Sequence, residues 1–190
     1  NTVVGRFGGR INNFTGDGCI ATWFGTMGPS RNKTASERVQ LAIDAAQAIV
    51  AIATDIQNPI RIGISSGQTV TYAMQVDETG LNTFPVTNGS AMNSASRVEA
   101  ATKQIPKRDP LHSIIGIDER TVILLTLDGS SIPQSLRNVG TVQEKESEFI
   151  LYEIVDQPSP TAIEFIPKST RTLLRRRISA SNPRPDPHAR

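Results

Sequence analysis

The chain has 190 residues, of which 37% are hydrophobic, and its 20 basic and 18 acidic side chains give a formal net charge of +2. This composition is typical of a globular protein and excludes collagen-like and low-complexity chains. The sequence contains no run of 18 apolar residues, which excludes a membrane-spanning helix within it. One cysteine and two histidines exclude an internal disulfide framework and a zinc site built from these two residue types.

Basic residues and prolines are concentrated towards the carboxyl terminus. Residues 168–190 carry seven basic side chains and one acid, and six of the twelve prolines lie from Pro158 onward. Because proline removes backbone donors and few large apolar side chains are present there, the sequence predicts a folded domain over residues 1–157 and a flexible basic tail over residues 158–190. No aromatic side chain lies among the arginines of the tail, so we expect no nucleic-acid partner.

The tail also contains a candidate modification site. Its segment Arg176-Arg177-Ile178-Ser179 resembles the target pattern of cyclic-nucleotide-dependent kinases. A phosphate on Ser179 would place negative charge beside three arginines. The sequence therefore predicts phosphorylation of Ser179, with a kinase as a partner of the tail.

A β-hairpin is predicted near the amino terminus. Residues 10–15 and 19–24 are short β-like runs on either side of Gly16-Asp17-Gly18. An acid at such a turn presents its carboxylate beyond the sheet edge, where a hard cation such as Mg²⁺ reaches it. An aspartate in a turn also commonly bonds its own backbone, so Asp17 taken alone has both interpretations.

The rest of the chain alternates between helical and strand patterns. Thr34 and Glu37 have capping-box spacing, and apolar residues then recur at helical intervals until Asn58-Pro59. This alternation indicates an α+β fold with an antiparallel-rich sheet and helices on one face. The further predicted elements are strands at 60–65, 69–76, 113–117, 136–142 and 148–155, helices at 89–102 and 118–125, and a loop at 77–85.

One motif belongs to a different enzyme class. The segment Gly63-Ile64-Ser65-Ser66-Gly67 matches the G-x-S-x-G nucleophile elbow of serine hydrolases, in which a helix follows the serine directly. Here residues 68–76 are β-like, and His112, which would have to act as the base, has no aspartate placed to orient it. The match to this motif is therefore interpreted as a coincidence, and a serine hydrolase is kept as a distant alternative.

Asn93 and Arg97 form a second candidate pair. At positions i and i+4 of a helix they share a face. An amide and a guanidinium that project together suit a ribose hydroxyl and a phosphate, and they equally suit a solvent-facing polar surface.

Several short segments follow one another in a fixed order over residues 8–155. They are Gly9-Arg10, Gly16-Asp17-Gly18, Arg61-Ile62-Gly63-Ile64-Ser65-Ser66-Gly67, Gly89, Asn93-Ser94-Ala95-Ser96-Arg97-Val98-Glu99, Val142 and Tyr152-Glu153. This series resembles the catalytic domain of class III adenylate and guanylate cyclases. The resemblance implies a ferredoxin-like α+β domain that pairs head to tail, as a homodimer or as a heterodimer of cyclase domains. It implies conversion of ATP or GTP into cAMP or cGMP and pyrophosphate, as the ribose 3′-hydroxyl attacks the α-phosphorus at the dimer interface.

The resemblance also implies roles for individual residues. Asp17 matches one of two aspartates that hold two Mg²⁺ or Mn²⁺ ions. Asn93 matches the residue that orients the ribose, and Arg97 the residue that stabilises charge on the reacting phosphorus. Lys145 lies near the position of a phosphate-contacting lysine.

The sequence departs from the family pattern at the positions that select the base. Asn13 stands where lysine or glutamate is typical, and Val86 where aspartate or threonine is common. Asparagine offers a donor and an acceptor whereas valine offers neither, so the choice between ATP and GTP stays open. A catalytically degenerate regulatory or dimerisation module with the same fold is therefore the competing hypothesis.

A further departure concerns the metal site. None of residues 1–16 is Asp or Glu, although the family's first metal aspartate precedes the hairpin. The resemblance therefore implies that the chain lacks the family's first strand, first helices and first metal ligand, and that it is an inactive piece of a longer signalling protein. Nucleotide substrates and the lone cysteine indicate a cytoplasmic domain, and a membrane anchor in the longer protein stays open.

Overall fold

The computed structural model describes residues 2–75, 83–107, 110–127 and 135–155. Within these ranges the chain forms four α-helices, a 3₁₀ turn and eight strands, and none of the helices is both long and apolar enough to span a membrane. In chain order the elements are α1 Val3–Arg6, β1 Arg10–Thr15, β2 Gly18–Thr22, α2 Ala35–Asp55, β3 Arg61–Ile64, β4 Val70–Gln75, β5 Thr83–Asn88, α3 Ser90–Ala101, the 3₁₀ turn Thr102–Gln104, β6 Ile114–Asp118, α4 Glu119–Thr126, β7 Leu136–Glu144 and β8 Ser147–Ile154.

The amino-terminal hairpin is confirmed. Strands β1 and β2 pair antiparallel, with Thr15 opposite Gly18, so Gly16 and Asp17 form the turn. Gly16 has a φ of 65°, a left-handed conformation that glycine adopts without steric cost. The hairpin forms a two-stranded sheet of its own, apart from the central sheet.

Helix α2 begins at its predicted capping box. The Thr34 hydroxyl accepts the backbone N–H of Glu37, and the Glu37 carboxylate accepts the backbone N–H of Thr34 at 2.7 Å. This backbone hydrogen bond, together with the hydrogen bond from Lys33, lowers the pKa of Glu37 below its ordinary value. The cap is therefore present at neutral pH and weakens as the pH falls through that lowered pKa.

The central sheet has the strand order β3-β6-β8-β7. Strands β3 and β6 are parallel, whereas β8 is antiparallel to both of its neighbours, β6 and β7. The β7–β8 pair confirms the predicted closing strands. The strand β6 is buried along its whole length, as its apolar run Ile-Ile-Gly-Ile predicts for a strand covered on both faces.

Helices cover both faces of this sheet, so the prediction of helices on one face was wrong. Ile115 and Ile117 of β6 pack in one core with α2 and α4, whereas Ile114 packs in a second core with Val98 of α3. Successive side chains of a strand point to opposite faces, so these two cores lie on opposite sides of the sheet. Periodicity of the helices could not reveal this, because it does not show which face of a strand each helix covers.

A second hairpin was missed in part. Strands β4 and β5 pair antiparallel, with Tyr72 opposite Val86, so residues 83–85 are strand and not loop. Pro85 is compatible with this pairing, because both strands of a two-stranded sheet are edge strands, where proline is tolerated. The β4–β5 hairpin is a separate two-stranded sheet, and β5 contacts β1. The predicted absence of an opening strand stays a prediction.

A buried carboxylate joins three segments at one end of the central sheet. Glu153 of β8 is fully buried, and its Oε2 is bonded to the Arg137 guanidinium of β7. The His112 Nε2 lies 3.4 Å from Glu153 Oε1. The cluster ties the segment before β6 to the two closing strands.

Replacing Arg137 tests how much this cluster contributes to the stability of the fold. Breaking a fully buried ion pair typically costs about 3–5 kcal/mol. Because Arg137 is 48% exposed and Glu153 keeps the His112 contact, we expect Arg137→Ala to lower the free energy of unfolding by about 1–2 kcal/mol, measured by urea denaturation. The exposed Arg120→Ala is the control, and an equal effect of both changes would contradict the prediction.

Candidate functional site

Helix α3 carries Asn93 and Arg97, and it lies unusually close to strand β3. A Cβ added to Gly63 of β3 would lie 2.3 Å from both the Ala95 carbonyl oxygen and the Glu99 backbone nitrogen. Only glycine permits this approach of strand and helix backbones. Gly63 therefore fixes α3 at Ala95 and Glu99, the two positions that flank Arg97.

The first turn of α3 is fixed by a different contact. Its N-cap residue, Gly89, has a φ of 147° and offers no side-chain cap. The Gln68 carbonyl oxygen instead accepts the Ala91 N–H and the Ser90 hydroxyl, each at 3.4 Å. The connection between β3 and β4 thus caps the helix that bears Asn93.

Asn93 and Arg97 are both exposed on α3, whereas Val98 and Ala101 face the core. The Arg97 Nη1 donates to the Ser147 hydroxyl at 2.5 Å. At the end of the same helical segment, Gln104 donates to the Gln143 carbonyl of β7 at 3.0 Å. These two bonds hold α3 against the β7–β8 hairpin.

The structure brings Lys145 to the turn that Arg97 reaches. Glu144 pairs with Ser147, so Lys145 and Glu146 form the turn, and Lys145 adopts a left-handed φ of 56°. Arg97 and Lys145 therefore lie at one edge, while Glu144 and Glu146 offset their charge. Ser147 was missed, because a serine in a polar turn gives no sequence signal of an arginine contact across 50 positions.

Asp17 lies on a different element from this group. It is exposed at the tip of the β1–β2 hairpin, and no hydrogen bond or ion pair between described residues joins it to Asn93 or Arg97. The described ranges also contain no group of three acidic, histidine or cysteine residues that could hold a metal ion. Mg²⁺ at phosphate-transfer sites commonly uses one or two carboxylates together with substrate phosphates and water. Asp17 can therefore supply one ligand of such a site, but it does not form the whole site.

The two candidate base-selecting residues lie on neighbouring strands. Asn13 is half-buried on β1, and Val86 is half-buried on β5. These two strands contact each other, although they belong to different hairpins. Next to Asn13, Asn12 donates its amide to the Thr22 hydroxyl at 2.6 Å, so the neighbouring amide is engaged within the hairpin.

The serine-hydrolase alternative is wrong. No helix follows Ser65, since the chain continues through an irregular connection into β4. The Ser65 hydroxyl donates directly to Asp118, and His112 lies instead against Glu153. A nucleophile bonded to a carboxylate without an intervening imidazole lacks the arrangement of a catalytic triad. The predicted modification site, Ser179, lies outside the described residues.

Comparison with known proteins supports a cyclase-like fold. No protein-family model matches the chain, and no curated protein matches its sequence. Among solved structures, the chain is similar to a bacterial light-regulated adenylyl cyclase, with a TM-score of 0.56 and 20% sequence identity. The match covers 92% of this chain and 45% of that chain, so this chain spans less than half the length of the cyclase it resembles. The mixed α+β architecture with antiparallel-rich sheets is thus compatible with a cyclase fold.

Proposed function

We propose that the chain is the catalytic region of a nucleotidyl cyclase that forms a 3′,5′-cyclic nucleotide and pyrophosphate from ATP or GTP. The observation that carries the proposal is the arrangement of α3, which presents exposed Asn93 and Arg97 and delivers Arg97 to the turn that bears Lys145. The cyclase-like fold supports it independently.

In this proposal, Asn93, Arg97 and Lys145 each have one task. The Asn93 amide orients the ribose so that its 3′-hydroxyl faces the α-phosphorus. The hydroxyl oxygen loses its proton to solvent and bonds to the α-phosphorus, while the bond from that phosphorus to the leaving pyrophosphate oxygen breaks. The Arg97 guanidinium stabilises the charge that accumulates on the phosphoryl oxygens, because a preorganised donor acts most strongly where charge develops. Lys145 contacts the phosphates as a compact charge.

Asp17 would hold Mg²⁺ or Mn²⁺, which activates the hydroxyl and neutralises phosphate charge when bound. Since no hydrogen bond or ion pair among the described residues joins Asp17 to Asn93 or Arg97, we propose that they meet across a head-to-tail dimer, a homodimer or a heterodimer of cyclase domains. Asn13 and Val86 would flank the base, on strands that already contact each other.

A non-catalytic module with the same fold is the second candidate. The half-buried Val86 favours it, because a hydrocarbon side chain cannot hydrogen-bond a purine edge. Among the described residues, Asp17 belongs to no group of three side chains that could hold a metal ion, which also favours it. Such a module would still form the dimer but would not convert nucleotide into product.

Turnover by the full-length protein tests the proposal. With Mn²⁺ and either ATP or GTP, we expect cyclic nucleotide and pyrophosphate in equal amounts, measured by chromatography. Asp17→Asn is expected to lower kcat by about a hundredfold, the scale seen when one preorganised transition-state contact is lost. Asp55→Asn, at the exposed end of α2, is the control and should keep wild-type turnover. No cyclic product from either nucleotide, with the fold verified by circular dichroism, would reject catalysis in favour of the module.

A further inference from the structure

A part-buried hydrogen-bond pair lies where the parallel strands β3 and β6 end. Ile64 is opposite Ile117, so the next residues, Ser65 after β3 and Asp118 at the end of β6, lie side by side. The Ser65 hydroxyl donates to Asp118 Oδ2 at 2.5 Å. The strand register itself therefore creates this contact between residues 53 positions apart.

Asp118 also begins helix α4. It is 9% exposed, and its Oδ1 accepts the backbone N–H of Thr121 at 2.9 Å, which caps the helix. Hydrogen bonds to an ionised acceptor are shorter and about twice as strong as neutral ones. Removing a donor from a buried carboxylate is also destabilising, since the freed oxygen cannot form a hydrogen bond to water instead. Ser65 is thus held firmly at the start of the connection to β4.

This connection, residues 65–69, is the one that caps α3. A Cβ on Gly67 would lie 3.0 Å from the Ser90 hydroxyl, and a Cβ on Gly89 would lie 2.4 Å from the Gln68 carbonyl oxygen. The connection and the first turn of α3 are therefore packed backbone to backbone. With no side-chain cap of its own, the helix depends on the Gln68 carbonyl.

We propose that Ser65 and Asp118 are positioning residues for Asn93, an inference that rests on the proposed function. Asn93 lies between two contacts of α3: the connection at its first turn and the approach of Gly63 to Ala95. Arg97 lies between Ala95 and Glu99, which both contact Gly63, and Ser147 holds its side chain as well. Loss of the Ser65 bond loosens the first turn and Asn93, while Arg97 keeps its place.

This arrangement predicts an asymmetric effect of Ser65→Ala. Because Asn93 orients the ribose and Arg97 with Lys145 contacts the phosphates, kcat is expected to fall about 5- to 10-fold, with KM changed less than about twofold, as for loss of one hydrogen bond. Ser65→Thr keeps the hydroxyl and is expected to restore most of kcat. Ser66→Ala is the matched control, since no hydrogen bond of its side chain is present among the described residues.

Hydrogen exchange of this chain without nucleotide separates the inference from the cyclase proposal. The backbone amide of Asn93 donates to the Gly89 carbonyl at 3.3 Å, and it should exchange about tenfold faster in Ser65→Ala than in Ser66→Ala. Asp118→Asn keeps an oxygen for the Thr121 N–H and should accelerate the same amide.

Each outcome has a defined meaning. Equal exchange in Ser65→Ala and Ser66→Ala overturns the inference, whatever the activity. Faster exchange with an unchanged kcat overturns it as well, because the connection would then hold the helix without positioning Asn93. Faster exchange in a protein that makes no cyclic nucleotide supports the structural link and rejects the cyclase proposal alone.

Discussion

An equimolar mixture of the Asp17→Asn and Arg97→Ala variants is expected to recover about a quarter of the wild-type activity, although each variant alone loses about a hundredfold. In a two-fold dimer, each proposed site takes its carboxylate from one chain and its guanidinium from the other. A mixed dimer then contains one intact site and one site with both defects. Random pairing makes half of the dimers mixed, which leaves about a quarter of all sites intact.

The two groups lie on different elements of the structure. Asp17 is exposed at the tip of the β1–β2 hairpin, whereas Arg97 is bonded to Ser147 at the β7–β8 hairpin. If both groups served one site within a single chain, no mixture could restore activity.

The choice of partner variant provides an internal control. Asp17→Asn mixed with Asn93→Ala should also recover activity, because Asn93 lies on the same helix as Arg97. Arg97→Ala mixed with Asn93→Ala should stay inactive, since both defects fall on the same side of the interface. Activity is measured in the full-length protein after denaturation and joint refolding, with dimers verified by light scattering. An inactive Asp17→Asn and Arg97→Ala mixture that contains verified dimers would contradict the shared site.

The elements with strong local signals could be predicted from the sequence. The capping box of Thr34 and Glu37 fixes the start of α2, and the Asp-Gly turn fixes the first hairpin. The α3 helix and the closing strands follow from periodicity in the same way. In each case a few neighbouring residues contain the whole signal.

The relations between distant segments could not be predicted in this way. The strand β5 depends on pairing with β4 across residues 76–82, and its own sequence contains a proline. The covering of both sheet faces depends on which helix each face of β6 meets. The bonds from Arg97 to Ser147 and from Ser65 to Asp118 join positions 50 and 53 apart. Such contacts are set by sheet register and helix packing, which no local pattern contains.

Gly63→Ala is expected to lower the free energy of unfolding by about 3 kcal/mol, the upper part of the usual range for overpacking a core. The added methyl group would lie 2.3 Å from two backbone atoms of α3, so relief requires the helix itself to move. Movement of α3 displaces Asn93 and pulls Arg97 away from Ser147. We expect turnover to fall about tenfold or more in protein that is still folded, because misplacement of reacting groups by about 1 Å has effects on that scale. Gly5→Ala is the control, since its nearest neighbour is the Thr2 hydroxyl at 3.3 Å in a short exposed helix, and it should change stability by less than about 0.5 kcal/mol. Urea denaturation measures the stability of both variants. The Arg97 side-chain signal in ¹⁵N spectra reports whether its bond to Ser147 persists. Equal stability of the Gly63→Ala and Gly5→Ala variants would contradict the close packing of β3 against α3.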